Sequence, residues 1–285
     1  MDGFVIITGA AGGLGRAFAA ECAERGWTLF LTDLAQDPLD DLAISLRRAY
    51  GVSVASFACD LSDPDAREAL GRGIEAGPGR PWMLLNVAGI DYEGSFLDRS
   101  LDELTRIVRL NVEATLATTY RVLELRDRSA PFRLVTVASL AGYYAMPLKA
   151  TYAATKAFLL KLMIALNEEL RATGGSATVL APAGLATQPS AIAGIESQGV
   201  LGRLTTVEVP IVVRMTLSAA LRGAPVVIPG RVNALLRAAG SLVPDRTVAR
   251  AISRRWTRTR NRCRDVERLQ DGAERPEQPL HVLRP

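Results

Sequence analysis

Seven short β-rich runs alternate with longer helical patterns between residue 4 and about residue 229, and this alternation restricts the fold more than any other feature. The runs are residues 4–8, 28–32, 53–58, 83–87, 133–138, 177–180 and 226–228. Strands separated by helices form parallel sheets with helices on both faces. We therefore expect a doubly wound α/β domain with a seven-stranded parallel sheet over residues 1–230. Ligands of such sheets bind beyond the carboxyl ends of the strands.

Composition narrows the partners and the environment. The 285 residues are 48% hydrophobic and carry a net charge of +4 that is concentrated near the C-terminus, with only 6% aromatic residues. Nucleic-acid binding is therefore not expected. The three cysteines, Cys22, Cys59 and Cys263, lack the spacing of a zinc site or a disulfide framework, so no metal is expected. With no basic leader and no apolar run of membrane-spanning length, a cytoplasmic protein is expected.

A glycine-rich stretch, Thr8 to Gly15, follows the first strand directly and precedes a helical pattern. Glycines at 9, 13 and 15 let the backbone turn tightly and approach a pyrophosphate, which the helix N-terminus beside Leu14 attracts. A tight strand-to-helix turn without a ligand would also use glycine. The three residues between Gly9 and Gly13, in this strand-turn-helix context, favour a dinucleotide site.

Acidic residues follow the second and third strands. Asp33 could accept hydrogen bonds from both hydroxyls of an adenosine ribose and repel the extra phosphate of NADP, which favours NAD as the cofactor over NADP. It could instead cap the next helix, and the basic Arg16 complicates the preference. Asp60, followed by Leu61, is a candidate contact for the adenine amino group, or else a turn acid before a helix start at residues 62–64.

Tyr152 and Lys156 stand four residues apart in a helical pattern and so share one helix face. An ammonium ~4 Å from the phenolate would stabilise it by roughly 4 kcal/mol, which lowers the phenol pKa by about 3. The same spacing occurs on many helices without function. Ser139 ends the fifth strand and has no histidine partner, since the sole histidine, His281, is in the tail. It is therefore a candidate hydrogen-bond donor to a substrate oxygen.

Two further segments add candidates. Asn86, Ala88 and Gly89 follow the fourth strand, where small residues would let the backbone run beside a cofactor ribose. Asn111 interrupts a long helical pattern over residues 101–125, although asparagine is a poor choice for a helix interior. A helix kink, an exposed amide or a functional contact would account for it.

With these positions assembled, the chain resembles the short-chain dehydrogenase/reductase family over residues 3–230. The matched motifs are the glycine turn at Thr8, Gly9, Gly13 and Gly15, the Asn-Asn-Ala-Gly segment at Asn86, Ala88 and Gly89, and the catalytic set Asn111, Ser139, Tyr152 and Lys156. The resemblance implies a Rossmann-type fold. It also implies that Tyr152 moves the substrate proton, Ser139 polarises the substrate oxygen, Lys156 tunes the phenol and holds the nicotinamide ribose, and Asn111 positions a relay water.

The chain departs from the family pattern at two places. Val87 stands where the family has a second asparagine, and Ala183 replaces a glycine after the sixth strand. Pro182 and Thr187 still match family residues at the nicotinamide. Residues 188–204 are small and apolar, which predicts either a mobile substrate lid or an ordinary packed helix.

Beyond residue 230, basic amphipathic patterns at 231–243 and 245–256 predict a helical extension over residues 231–270, with a flexible tail at 271–285. Such helices can lie on an anionic membrane surface, but a cover over the substrate cleft or a contact with a partner subunit is favoured. Family resemblance suggests a homodimer or homotetramer.

We therefore expect an NAD(H)-dependent oxidoreductase that interconverts a hydrophobic secondary alcohol and its ketone. The alternatives are an NADP(H)-dependent ketone or oxoacyl reductase and, from another class, a non-catalytic dinucleotide-binding sensor.

Overall fold

The sheet has seven parallel strands. The computed structural model describes residues 3–185, 202 and 204–254 of the chain. The strands are β1 Phe4–Thr8, β2 Thr28–Asp33, β3 Val54–Ala58, β4 Pro81–Asn86, β5 Arg133–Val137, β6 Ser176–Leu180 and β7 Val226–Val227. Their order across the sheet is β3-β2-β1-β4-β5-β6-β7. The predicted Rossmann-type, doubly wound fold is confirmed.

Helices cover both faces of the sheet. They are α1 Gly13–Glu24, α2 Gln36–Tyr50, α3 Pro64–Glu75, α4 Leu101–Val108, α5 Thr115–Leu125, α6 Ala150–Arg171, α7 Val209–Leu221 and α8 Arg231–Gly240, with a further helical stretch over residues 245–254. Short 3-10 turns occupy Phe96–Asp98 and Leu140–Tyr143. The predicted helix over residues 101–125 is continuous, with one π-helical segment, Arg109–Ala114, between α4 and α5.

Strand β1 shows why both faces are covered, since all five of its residues are buried. Val5 and Ile7 belong to a core shared with α1, α2 and α7, whereas Phe4 and Ile6 belong to a second core shared with α3, α5 and α6. This alternation follows from the two-residue period of a strand. Strand β1 therefore has no solvent-exposed face, as is typical of a central strand in a parallel sheet.

The strand ends that matter for ligands are aligned. Thr8 at the end of β1 pairs with Thr32 of β2 and with Asn86 of β4. Residues that directly follow these three strands therefore meet at one edge of the sheet, on either side of β1. The strand order reverses direction at this point, which is where such sheets bind nucleotides.

The C-terminal extension packs close to the fifth strand's end. Helix α8 carries the backbone carbonyl of Leu236, which accepts a hydrogen bond from the Tyr144 hydroxyl at 2.9 Å, and the guanidinium of Arg237 lies 5.0 Å from the Tyr143 ring centroid. Both tyrosines belong to the segment after Ser139.

None of the helices described is long and apolar enough to cross a membrane. The domain boundary at residue 230 stays a prediction.

Candidate active site

The glycine-rich turn after β1 depends on two very close backbone approaches. Gly9 has φ +65°, and a methyl added there would lie 2.8 Å from the Cα atom of Ala88. A methyl added at Gly15 would lie 2.0 Å from the carbonyl oxygen of Gly9. Helix α1 begins at Gly13, so its unpaired first-turn N–H groups lie beside this turn, while Leu14 packs against the core. The turn has the form of an anion-binding helix N-terminus.

Thr8 joins this turn to the segment after β4. Its hydroxyl oxygen accepts hydrogen bonds from the backbone N–H groups of Val87 at 3.1 Å and Ala88 at 3.3 Å. The departure at Val87 therefore leaves this backbone connection in place. The amide of Asn86 is buried and donates to the hydroxyls of Thr119 at 2.8 Å and Thr136 at 3.3 Å. Its side chain thus connects β4 with α5 and β5 inside the protein, away from the predicted cofactor contact.

Asp33 lies at the end of β2 and faces the glycine turn. One carboxylate oxygen accepts a hydrogen bond from the backbone N–H of Ala11 at 2.8 Å, and the other accepts from Leu34 at 2.7 Å. Each oxygen keeps a lone pair for a ribose hydroxyl. The guanidinium of Arg16 is held nearby by the carbonyl oxygens of Ala11 at 2.8 Å and Pro38 at 3.3 Å. An acid and a base therefore flank the same turn.

The other predicted nucleotide contacts are placed less favourably. Asp60 accepts hydrogen bonds from the N–H of Ser62 at 2.8 Å and from its hydroxyl at 2.6 Å, and these bonds lower the pKa of the Asp60 carboxyl. The turn-acid interpretation therefore describes its local role. The Leu61 side chain is buried in the core, which leaves only its backbone for a ligand. Pro182 is buried and its carbonyl oxygen accepts from the N–H of Leu140 at 2.8 Å, beside Ser139.

Three of the earlier predictions fall on positions without a structural description here. Thr187 and the flexible tail at 271–285 lie outside the described residues, as does nearly all of the predicted lid at 188–204. Among the residues that the structure describes, no group of three or more His, Cys, Asp or Glu side chains could hold a metal ion, and Cys22 and Cys59 are free buried thiols.

Asn111 is fully buried in the π-helical segment and makes three hydrogen bonds. Its amide oxygen accepts from the N–H of Ile90 at 2.9 Å, while its nitrogen donates to the carbonyl of Ile90 at 2.9 Å and to the Thr155 hydroxyl at 3.2 Å. Thr155 in turn donates to the carbonyl of Tyr152 at 2.7 Å. Asn111 therefore links the segment after β4 to the first turns of α6. A π segment is a frequent mark of a functional site, and the exposed-amide interpretation is wrong.

Lys156 is buried at the same place. A methyl added at Gly89 would lie 3.3 Å from its ammonium nitrogen and 3.1 Å from the amide oxygen of Asn111. The ammonium donates a hydrogen bond to the carbonyl of Val137 at 2.9 Å and lies 5.6 Å from the Tyr152 ring centroid. The structure thus brings the segment after β4, the end of β5 and helix α6 together around one ammonium.

The Ser139 side chain lies near enough to the Tyr152 phenol to lower its pKa. Ser139 caps the 3-10 turn Leu140–Tyr143, and its hydroxyl also accepts from the N–H of Ala141 at 3.2 Å. Gly142 in this turn lies against α6, where an added methyl would be 2.7 Å from the backbone carbonyl carbon of Lys156. The close approach at Gly142, which sequence reasoning did not single out, sets Ser139 beside Tyr152.

The pKa values of Tyr152 and Lys156 differ from the sequence-based expectation. Burial, followed by the negative charge of Asp91, raises the pKa of Tyr152 to about 12, and the Ser139 side chain offsets only part of this rise. The expected depression of the phenol pKa is therefore wrong for the protein's own groups. Burial lowers the pKa of Lys156 to about 8, with Asp91 acting in the opposite direction. Desolvation, which disfavours both charged forms, outweighs the attraction between them.

A cavity of about 230 Å³ opens beside Tyr152. Its wall is largely apolar and includes Phe96, Leu104, Ile107, Pro147 and Leu148. Tyr143, Tyr144 and Met146 lie between Ser139 and Tyr152 in the sequence but are absent from this wall, and Tyr143 and Tyr144 contact α8 instead. Lys149 does line it, and sequence reasoning missed this residue.

Fold and site together define a class: a dinucleotide-dependent oxidoreductase with a Ser-Tyr-Lys proton-handling group at the carboxyl ends of a Rossmann-type sheet. The chain belongs to the short chain dehydrogenase family, whose model matches residues 3–195. Members of this family act on alcohol and carbonyl groups. The expected family membership and enzyme class are thereby confirmed.

Relatives and solved structures narrow the comparison further. The chain is 34% identical over 170 residues to a very-long-chain 3-oxoacyl-CoA reductase of Laccaria bicolor. The aligned region covers 59% of this chain and 50% of the relative. It is 29% identical over 202 residues to the probable oxidoreductase EphD of Mycobacterium tuberculosis, covering 70% of this chain and 33% of that protein. The chain thus spans about half or less of the length of these curated relatives.

Among solved structures, a short-chain dehydrogenase from Sphingobium yanoikuyae in complex with NADPH is 30% identical with a TM-score of 0.72, covering 84% of this chain and 94% of that chain. A 7beta-hydroxysteroid dehydrogenase structure has a TM-score of 0.80 at 22% identity, covering 88% and 96% respectively, and supports the fold alone. Binding of an NAD(P) cofactor follows from the family, while the choice between NAD and NADP does not.

Proposed function

We propose that the protein reduces a ketone on a hydrophobic chain, of the 3-oxoacyl thioester type, to the corresponding secondary alcohol. The observation that carries the proposal is the position of the Tyr152 phenol, which borders the apolar cavity beside Ser139 and stays protonated at neutral pH, with a pKa raised to about 12. A protonated phenol is a proton donor, which is what carbonyl reduction needs. The names of the relatives support the acyl substrate, and the apolar cavity wall supports a hydrophobic chain.

The residues divide the work as follows. A bound dinucleotide would supply the hydride, and the glycine turn from Gly9 to Gly15 would hold its pyrophosphate. A carbonyl oxygen between Ser139 and Tyr152 would accept a hydrogen bond from the serine hydroxyl and take the phenolic proton as its negative charge develops. The buried ammonium of Lys156 would stabilise the phenolate that remains. Asn111 would keep α6 and the segment after β4 in register through Ile90 and Thr155.

For the cofactor we propose NAD(H), as the sequence suggested. Asp33 supports it, because its carboxylate is fixed at the turn by two backbone N–H groups and would face the 2′-phosphate of NADP(H). Arg16, held at the same turn by the carbonyl oxygens of Ala11 and Pro38, and the NADPH complex of the 30%-identical structure favour the other cofactor. Fluorescence titration with NADH and NADPH decides between them. Tighter binding of NADPH by the unchanged protein would overturn the assignment to NAD(H).

The reaction is tested by Tyr152→Phe, with Tyr92→Phe as a control that removes a phenol from the same cavity. Loss of the general acid is expected to lower kcat for a long-chain 3-oxoacyl thioester by at least about 100-fold. The control is expected to retain activity within about threefold, and both variants should bind NADH normally. Near-normal turnover in Tyr152→Phe would refute the acid assignment.

A second candidate is a dehydrogenase of a hydrophobic secondary alcohol, which the same cavity would accept. The same assay with simple hydrophobic ketones and alcohols separates the two, because only an acyl specialist prefers the thioester. A non-catalytic nucleotide sensor stays the third possibility, and any turnover that Tyr152→Phe abolishes excludes it.

We also propose a homo-oligomer, with α5 and α6 at the subunit contact. Large apolar side chains on these helices are exposed, including Tyr120 at 66%, Leu116 at 45% and Phe158 at 40%. Sedimentation of the purified chain tests this proposal, and a monomer at micromolar concentration would contradict it. A cytoplasmic location stays part of the proposal, without membrane attachment; flotation with anionic vesicles would reveal an attachment through residues 231–254.

A further inference from the structure

The chain uses lysine at only three positions. Of its 34 Lys and Arg residues, 31 are arginine, and the lysines are Lys149, Lys156 and Lys161. Lys156 belongs to the proton-handling group, and Lys161 is exposed further along α6. Lys149 lies directly before α6 and lines the cavity beside Tyr152. A chain that otherwise relies on arginine thus places a compact ammonium at a second point of the site.

Lys149 is held by acidic residues from the segment after β4. Its ammonium pairs closely with the carboxylate of Asp91 and lies 3.6 Å from a carboxylate oxygen of Glu93. The same ammonium is 5.7 Å from the Tyr152 ring centroid, almost the same distance as the 5.6 Å of Lys156. Two ammonium groups therefore flank the phenol. Lys149 is mostly enclosed, with a side chain 19% exposed.

Asp91 acts electrostatically on both members of the proton-handling pair. Its negative charge raises the pKa of Tyr152 and also raises the pKa of Lys156. Other titratable or charged side chains also border the cavity. They are Tyr92, on the same segment as Asp91, and Arg99, which lies before α4 and pairs with Glu103 at 3.3 Å. Lys149, which borders this cavity, and its partner Asp91 thus form an ion pair that acts on the catalytic phenol.

We propose that Asp91 and Lys149 are a positioning ion pair for the proposed reduction, in which Lys149 neutralises Asp91 beside Tyr152 and so sets the charge that Tyr152 and Lys156 experience. The inference rests on the proposed function for its catalytic consequence, but the electrostatic arrangement can be measured without turnover. The two residues have opposite charges and one shared target. Neutralising Asp91 alone must therefore shift the pKa values of Tyr152 and Lys156 in one direction, and neutralising Lys149 alone must shift them in the other. Neutralising both residues must leave these pKa values nearly unchanged.

The three lysines make a direct measurement feasible, because selective ¹³C or ¹⁵N labelling of lysine gives only three side-chain signals. Lys161→Arg, which keeps the charge, assigns one signal, and Lys161 serves as the internal control on the same helix. In Asp91→Asn the pKa of Lys156 is expected to fall by about one, and in Lys149→Met to rise by a similar amount, for charges separated by several ångströms in a partly screened site. The double variant is expected to lie close to the unchanged protein.

The catalytic consequence is read from the alkaline limb of kcat/KM for reduction, since Tyr152 and Lys156 both act in their protonated forms and Lys156, which has the lower pKa, loses its proton first. Asp91→Asn should move that limb to lower pH and Lys149→Met to higher pH. If the Lys156 signal moves in opposite directions in the two variants but no substrate is reduced, the ion pair stands and the proposed function fails. If the unchanged protein is active but the pKa of Lys156 does not change, or changes in the same direction in both variants, the ion pair is only structural and the inference is overturned.

Discussion

Replacing Gly15 by alanine is expected to disable nucleotide binding, whereas the same replacement at Gly12 should leave it nearly intact. A methyl on Gly15 would lie 2.0 Å from the carbonyl oxygen of Gly9 and 2.8 Å from the Cα atom of Ala10, and both are backbone atoms. At Gly12 the nearest atom is 3.4 Å away, an ordinary contact. Because non-bonded atoms prefer about 3.5 Å, the start of α1 must move by more than about 1 Å only in Gly15→Ala.

Two opposing effects determine how much the free energy of unfolding changes in Gly15→Ala. Alanine in place of glycine inside a helix gains up to about 1 kcal/mol in propensity, but overpacking against backbone costs about 3 kcal/mol or more. The net loss of unfolding free energy in Gly15→Ala is therefore about 2 kcal/mol. Gly12 is the N-cap of α1, so Gly12→Ala loses about 0.5–1 kcal/mol. The displaced turn should also weaken nucleotide binding at least about tenfold in Gly15→Ala alone.

Urea unfolding measures the stability of both variants, and fluorescence titration with NADH and NADPH measures binding. If Gly15→Ala binds nucleotide as tightly as Gly12→Ala, the turn is not the pyrophosphate site. If it is also equally stable, the close approach between Gly15 and Gly9 does not exist in solution.

Three further predictions concern polar groups of the site. Asn111→Ala leaves the N–H and C=O of Ile90 without partners, so urea unfolding should show a loss of about 2–4 kcal/mol. Asp33→Asn keeps one accepting oxygen but removes the charge, and titration should show NADP(H) binding improved about tenfold relative to NAD(H); an unchanged ratio would remove Asp33 from cofactor selection. The pKa of Lys156 is lowered to about 8 from 10.5. Between these values the unfolded chain holds more protons, so the stability contributed by this group rises from pH 8 to 10.5, by roughly 3 kcal/mol, and Lys156→Met should abolish the rise in pH-dependent unfolding.

The sequence predicted best what depends on neighbouring residues. The seven strands are readable because short β-rich runs repeat between helical patterns. The glycine turn is readable because its glycines, from Gly9 to Gly15, run from the end of a strand into the first turn of a helix. Asn111 could be noticed as an anomaly in a helix, but its partner Ile90 is 21 residues away and only the fold reveals it.

What the sequence could not predict depends on direction and burial. Asn86 matches a motif, yet its side chain points between β4 and β5, because a strand residue faces one side or the other and the motif does not say which. Lys149 and Asp91 are 58 residues apart and come together only through the crossover between β4 and α6. Their one sequence signal is the scarcity of lysine, which becomes informative once their position beside Tyr152 is known.

Burial also decides how the Tyr152–Lys156 pair works. To act as a base at neutral pH, Tyr152 would need a pKa near 7, about 5 below the value of about 12 that the protein gives it. Each pKa unit is worth about 1.4 kcal/mol, so the change requires roughly 7 kcal/mol of additional stabilisation of the phenolate. The i,i+4 ammonium was expected to supply about 4 kcal/mol at full charge, and with a pKa of about 8 Lys156 itself begins to lose its proton just above neutral pH. In the proposed reaction these groups therefore favour giving a proton to a ketone over taking one from an alcohol. We expect oxidation of the alcohol, followed as the appearance of NADH absorbance across pH, to become efficient only at alkaline pH, and efficient oxidation at about pH 7 would contradict this argument.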